Sequence, residues 1–158
     1  MSRVQIITDS TSDFDPTFLG DLHLEVLPLT VTLEDRNFLD GEEISVEQVY
    51  DAMRRGIVPK TSQIPYDRTA DLFRSLLEEG EDIIHISFSG ELSGCFALAS
   101  MIAEELRSEF PGRGIAVIDS KGGSGATGLI VLQALRLAAS GLSFESIVSE
   151  VRFMTEHI

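Results

Sequence analysis

The alternation of two apolar patterns constrains the fold most. Val4–Thr8, Ile83–Phe88 and Ile115–Ile118 are short apolar runs rich in β-branched residues, each running into a polar cluster. Runs of this kind read as buried strands. Between and after them, apolar residues recur at helical spacing: Leu72, Phe73, Leu76 and Leu77, then Phe96, Ala99, Ile102, Ala103 and Leu106. Strands that alternate with helices default to a parallel sheet joined by right-handed crossovers.

Punctuation residues fill in the remainder. Asp15 followed by Pro16 predicts a helix start, and Gly20 closes a short helix. His23–Leu33 reads as extended and is interrupted at Pro28, while Glu34–Glu43 carries the turn pair Asp40 and Gly41 and reads as an exposed connection or hairpin. Ser45 and Gln48 form a capping box that opens a helix through Val46, Val49, Tyr50 and Met53, which Gly56 and Pro59 end. Two prolines bracket Pro59–Pro65, so this stretch is predicted to be a loop without regular structure. Leu129–Ala139 is predicted helical, Gly141 breaks it, and Ser143 caps a final helix. The predicted fold class is α/β, a mainly parallel, Rossmann-like sheet flanked by helices. Ligands of such sheets bind beyond the carboxyl ends of the strands, here after Thr8, Ser87 and Ile118.

Composition removes several function classes. The chain has 158 residues, 43% of them apolar, which suits one domain with a real core. Its formal charge of −14 repels nucleic-acid phosphates and anionic bilayers, so no nucleic acid and no stable membrane insertion are expected. A single cysteine, Cys95, forms neither an internal disulfide nor a zinc cage, which points to a reducing, cytoplasmic compartment. The opening MSRVQIITDS lacks the apolar core of a signal peptide.

Four motifs suggest chemistry and each has a plainer explanation. Gly123–Gly128 matches G-x-G-x-x-G between a strand and a helix, yet a dinucleotide site needs a further strand about 20 residues on that ends in an acid. Here more helix follows, so the glycines read as a closely packed helix start. Lys121 precedes the glycines, so there is no P-loop. Asp9-Ser10-Thr11 has the form of an aspartyl-phosphatase nucleophile but carries Thr11 where the second aspartate belongs; turn and cap bonding is the plainer role. His85 and Ser87 share one sheet face without a G-x-S-x-G elbow, which favours a core histidine over a hydrolase pair. Cys95 stands just inside a helix start, a setting that can lower a thiol pKa, but reads as an inert buried cysteine, and His23 and His157 are too isolated for a metal site.

The remaining constellation is a hydroxyl-rich segment, Thr61-Ser62-Gln63, and a second set at the start of the Phe96 helix, Ser89, Ser93 and the Gly94 amide. Hydroxyls beside a helix N-terminus can hold an anion without a dedicated cation; ordinary capping by Ser93 is the competing explanation. A neighbouring apolar helix face suits a carboxylate with a greasy tail.

Six segments in order resemble the amino-terminal domain of the DegV family, bacterial fatty-acid-binding proteins that present acyl chains to a fatty acid kinase. They are I-I-T-D-S-T-S-D at Ile6–Asp13, V-L-P-L at Val26–Leu29, D-G-E-E-I at Asp40–Ile44, T-S-Q at Thr61–Gln63, L-S-G at Leu92–Gly94 and I-D-S-K at Ile118–Lys121. The resemblance implies that Thr61 and Ser93 hydrogen-bond the fatty acid carboxylate, with Ser62 and Gly94 beside them. It also implies no catalytic residues, no metal and no cofactor other than the bound acid. The chain departs from the family pattern at Gly90, Cys95 and Ala97, where serine, threonine and glutamine are common.

Family members are longer, with a carboxy-terminal domain over the acyl tunnel. The expected organisation is therefore a lipid-binding domain over residues 1–141 and a helix resembling the interdomain linker over 142–158, with the carboxy-terminal domain absent. The expected function is non-covalent binding of a long-chain fatty acid for presentation to a kinase. The alternatives are a hydrolase or phosphotransferase using Asp9 or the Ser and His cluster, and a non-binding dimerising remnant. The stripe Phe144, Ile147, Val148, Val151 and Met154 has no later sequence to meet it, which predicts a homodimer through this helix.

Overall fold

The computed structural model describes residues 3–14, 17 and 19–157. Asp15 and Pro16, which carry the predicted start of the first short helix, lie outside the described residues. Strand β1 is Val4–Asp9, followed by a 3-10 turn at Ser10–Ser12. Pro28 splits the next extended stretch into β2, Leu24–Leu27, and β3, Thr30–Leu33. Strand β4, Arg36–Leu39, pairs antiparallel with β3, so the expected hairpin forms, with its turn at Glu34 and Asp35 rather than at Asp40 and Gly41.

Helix α1, Val46–Arg54, starts with the predicted capping box. Strand β5, Lys60–Ser62, follows, then α2, Tyr66–Glu78; β6, Asp82–Ser87; α3, Cys95–Glu109; β7, Ile115–Asp119; α4, Ser124–Ala139; and α5, Phe144–His157. The main sheet has the order β2-β1-β6-β7 with every pairing parallel, and a second sheet has the order β4-β3-β5. This is the predicted α/β class.

Period-two alternation assigns the two faces of the main sheet. Ile7, Ile83 and Ile115 enter one core cluster with Phe73 and Leu77 of α2 and Ala99, Ile102 and Leu106 of α3. Their neighbours Ile6, Ile84 and Ala116 enter another with Ile130 and Leu135 of α4. Helices therefore cover both faces.

Three expectations need correction. Lys60–Ser62 is an edge strand, because the proline prohibition acts on Pro59 and Pro65 themselves and leaves three residues free to pair with β3. The glycine-rich segment is already helical, since α4 starts at Ser124. Finally, the apolar stripe of α5 is not left for a second copy: Ile147 and Val151 are fully buried in the second cluster, with Phe144, Val148 and Met154 against it. The reason for a dimer through this helix thereby disappears. Among the described residues, no helix is long and apolar enough to cross a membrane.

Candidate functional site

Strand β5 carries Thr61 opposite Val31 of β3 and Ser62 opposite Thr30, and the chain then anchors itself through the buried Ile64. From the other side, the chain leaves β6 and turns tightly, with the Leu92 and Ser93 amides both donating to the Ser89 carbonyl. Gly94 follows as the N-cap residue of α3. The two segments meet around a pocket of about 250 Å³ that Thr61, Ser62, Gln63, Ser93 and Gly94 line, with Leu29, Phe88 and Leu92 as its apolar wall. All four predicted site residues, Thr61, Ser62, Ser93 and Gly94, are thus brought together.

Among its lining residues there is no lysine or arginine; what the pocket offers is hydroxyl-bearing residues and the start of a 15-residue helix, the kind of setting that can hold an anion. The Ser93 hydroxyl accepts from the Cys95 amide at 3.2 Å and donates to the Cys95 sulfur at 3.1 Å. The capping-type contact expected of Ser93 is therefore present, and Ser93 is also one of the pocket's lining residues. Its volume lies below the roughly 300 Å³ at which small-molecule pockets begin. Leu92, 72% exposed, offers the nearest bare apolar surface on the pocket wall.

Gln63 also lines the pocket. Its side chain lies across Gly94, where an added Cβ would fall 2.0 Å from Oε1. Gly94 has φ −77, so it is the approach of Gln63, not the backbone conformation, that a glycine serves here. The S-G step at a helix start was the only signal.

The rival sites lack the geometry for chemistry. The Asp9 carboxylate is fully buried and accepts from the Phe88 amide at 2.8 Å, from the Thr11 amide at 3.2 Å and from the Thr11 hydroxyl. Such a group holds turns; it does not face a substrate. His85 is also fully buried, touches Phe73 edge-on, and neither ring nitrogen has a hydrogen-bond partner. Burial pushes its pKa down to about 4, with Asp9 opposing. Ser87 donates toward Asp9 at 3.5 Å, not toward His85, so no nucleophile–base pair forms there. Cys95 is buried and its thiol pKa is raised by burial, opposite to what a nucleophile needs. Among the described residues, no group of three or more His, Cys, Asp or Glu could hold a metal.

The glycines serve packing at two positions. A Cβ on Gly123 would sit 2.6 Å from the Phe88 ring, and one on Gly128 would sit 2.9 Å from the Ser12 carbonyl oxygen. Gly125 has nothing nearby, and helix α5 stands where a dinucleotide fold places its next strand. Gly128→Ala will destabilise the chain by about 1 to 3 kcal/mol, because its obstacle is backbone. Nicotinamide dinucleotides will leave the melting temperature of the unaltered protein unchanged. Thermal melts of both test this, and stabilisation by the dinucleotide would contradict the packing role.

Fold and site together define a parallel α/β domain with a small pocket at the carboxyl end of its sheet, lined by Thr61, Ser62, Ser93 and Gly94. The profile of the DegV family, described as uncharacterised proteins, matches residues 3–158, and the chain belongs to that family. It is 33% identical to the DegV domain-containing protein CPE1310 of Clostridium perfringens over its whole length, which is 56% of that protein. The chain spans about half the length of the curated relatives it matches. Among solved structures, it is similar to a fatty-acid-binding DegV family protein of Thermus thermophilus, with a TM-score of 0.84 and 34% identity, covering 98% of this chain and 54% of that one. It also resembles a stearic-acid-binding protein of Eubacterium ventriosum, with a TM-score of 0.85 and 28% identity, over 96% and 52%.

Proposed function

We propose that the chain binds a long-chain fatty acid without covalent chemistry. The carboxylate is held by the Thr61 and Ser93 hydroxyls at the start of α3, flanked by Ser62 and the Gly94 amide, and the tail leaves over Leu92. The observation that carries this reading is the convergence of two distant segments on a single pocket lined by Thr61, Ser62, Ser93 and Gly94. The fatty-acid-binding relatives support it. In this reading the chain is not an enzyme, needs no cofactor or metal, works in the cytoplasm and presents the bound acid to a fatty acid kinase.

Titration calorimetry with stearic acid provides the test. A hydrogen bond to a charged acceptor is worth roughly 1.5 to 3 kcal/mol, so Ser93→Ala and Thr61→Ala will each weaken binding about tenfold or more while the fold survives. Unchanged affinity in both variants would place the carboxylate elsewhere.

A further inference from the structure

The pocket keeps an oxygen of its own at the helix start where the ligand carboxylate is placed. The side chain of Gln63 reaches across to α3, where a Cβ on Gly94 would fall 2.0 Å from its Oε1 and 3.2 Å from its Cδ. The Nε2 atom is not within 4 Å of that point, so the amide turns its oxygen toward the helix and its NH2 group away. Electrostatics favours this orientation: the first turn of a 15-residue helix carries partial positive charge, and no side chain caps α3 at Gly94. The contact is not a hydrogen bond, and among the described residues neither end of the Gln63 amide has a partner. Gln63 is also exposed, so apolar packing does not hold it there.

We propose that Gln63 is a specificity-determining residue of the pocket, whose side-chain amide turns over on binding so that its NH2 group donates to the ligand carboxylate. An ionised carboxylate at the start of α3 would meet oxygen with oxygen in the present orientation. Rotation of the terminal amide exchanges its two ends within the same space, because that torsion is broad and roughly two-fold. The turn breaks no hydrogen bond and forms a charge-assisted one, so it favours the bound state. An amide can make this exchange; a carboxylate at the same position cannot. The inference rests on the fatty-acid reading and adds a donor to the Thr61 and Ser93 hydroxyls.

Three measurements on the intact chain test it: stearic acid affinity by calorimetry, melting temperature without ligand, and proton–nitrogen NMR of the parent. Gln63→Met keeps the length and removes the donor, and it will weaken binding about three- to tenfold. Gln63→Glu keeps the shape but has oxygen at both ends. Its empty chain will melt at or above the parent, since the helix start favours the charge, yet stearic acid affinity will fall about thirtyfold or more. A packing role alone would not separate stability from affinity in this way. In the parent, the Gln63 NH2 signals, identified by their loss in Gln63→Met, will move downfield as stearic acid saturates the pocket. Parent-like affinity in Gln63→Met overturns the proposal, as does a Gln63→Glu chain that binds as well as Gln63→Met or melts below the parent. NH2 signals that stay in place on saturation overturn it as well. A parent chain that takes up no stearic acid overturns the fatty-acid reading and this role with it, whereas a loss in Ser93→Ala without one in Gln63→Met overturns this role alone.

Discussion

Asp9→Ala will destabilise the chain by about 3 to 5 kcal/mol, because it strands two backbone amides whose acceptor is buried, each costing roughly 1 to 3 kcal/mol. The carboxylate ends β1 and accepts from Phe88, at the end of β6, and from Thr11, in the turn that follows. Phe88 also lines the proposed carboxylate pocket, so on that reading fatty acid binding will fall together with stability. Urea unfolding of the variant, read by circular dichroism, measures the loss. A loss below about 1 kcal/mol would show that water or a rearranged turn satisfies these amides, and would reopen the question of what Asp9 does.

His85 supplies the second large effect, visible only in acid. Above pH 6.5 the imidazole is neutral in both folded and unfolded chains and contributes nothing to the pH dependence. Below it, the unfolded chain takes up a proton that the buried ring refuses until about pH 4. Stability attributable to this residue is therefore lost as pH falls through that window. At roughly 1.4 kcal/mol per pH unit, the loss reaches about 3 kcal/mol at pH 4. Paired denaturant titrations of the parent and His85→Leu at pH 7 and pH 4 isolate it from the carboxylates, which both proteins share. The parent will lose about 3 kcal/mol more than the variant between the two conditions. At pH 7 the variant will be no less stable, since leucine removes two ring nitrogens that lack partners. Equal losses in the two proteins would mean that the ring is protonated in the fold.

Why was the main sheet legible? Ile6 and Ile7, or Ile83 and Ile84, are each apolar on successive positions, and only a strand covered on both faces uses them so. Ser45 and Gln48 were equally plain, because a capping box is a contact between near neighbours. Thr61 and Ser93 could be grouped from their hydroxyls and a nearby helix start. What stayed hidden depends on partners distant in sequence. Strand β5 exists because β3 offers it an edge, and nothing between Pro59 and Pro65 states that. The α5 stripe looked unpartnered because its partners, Ile118 and Leu135 among them, precede it and were already assigned to the sheet and to α4. Gln63 lying over Gly94 is a side-chain contact 31 positions apart, beyond any local pattern.

The proposed carboxylate pocket straddles a seam: Thr61 rides on the three-stranded sheet and Ser93 follows the last residues of a strand of the four-stranded one, with Leu29 and Ile64 anchoring the smaller sheet in the larger core. An occupant held from both sides acts as a clasp. It is sensitive to a slip of about 1 Å between the sheets, because a hydrogen bond tolerates little change in length. Reciprocity requires the occupant to oppose that same slip. Occupancy of the pocket and the fit of one sheet against the other are, in this architecture, a single mechanical variable.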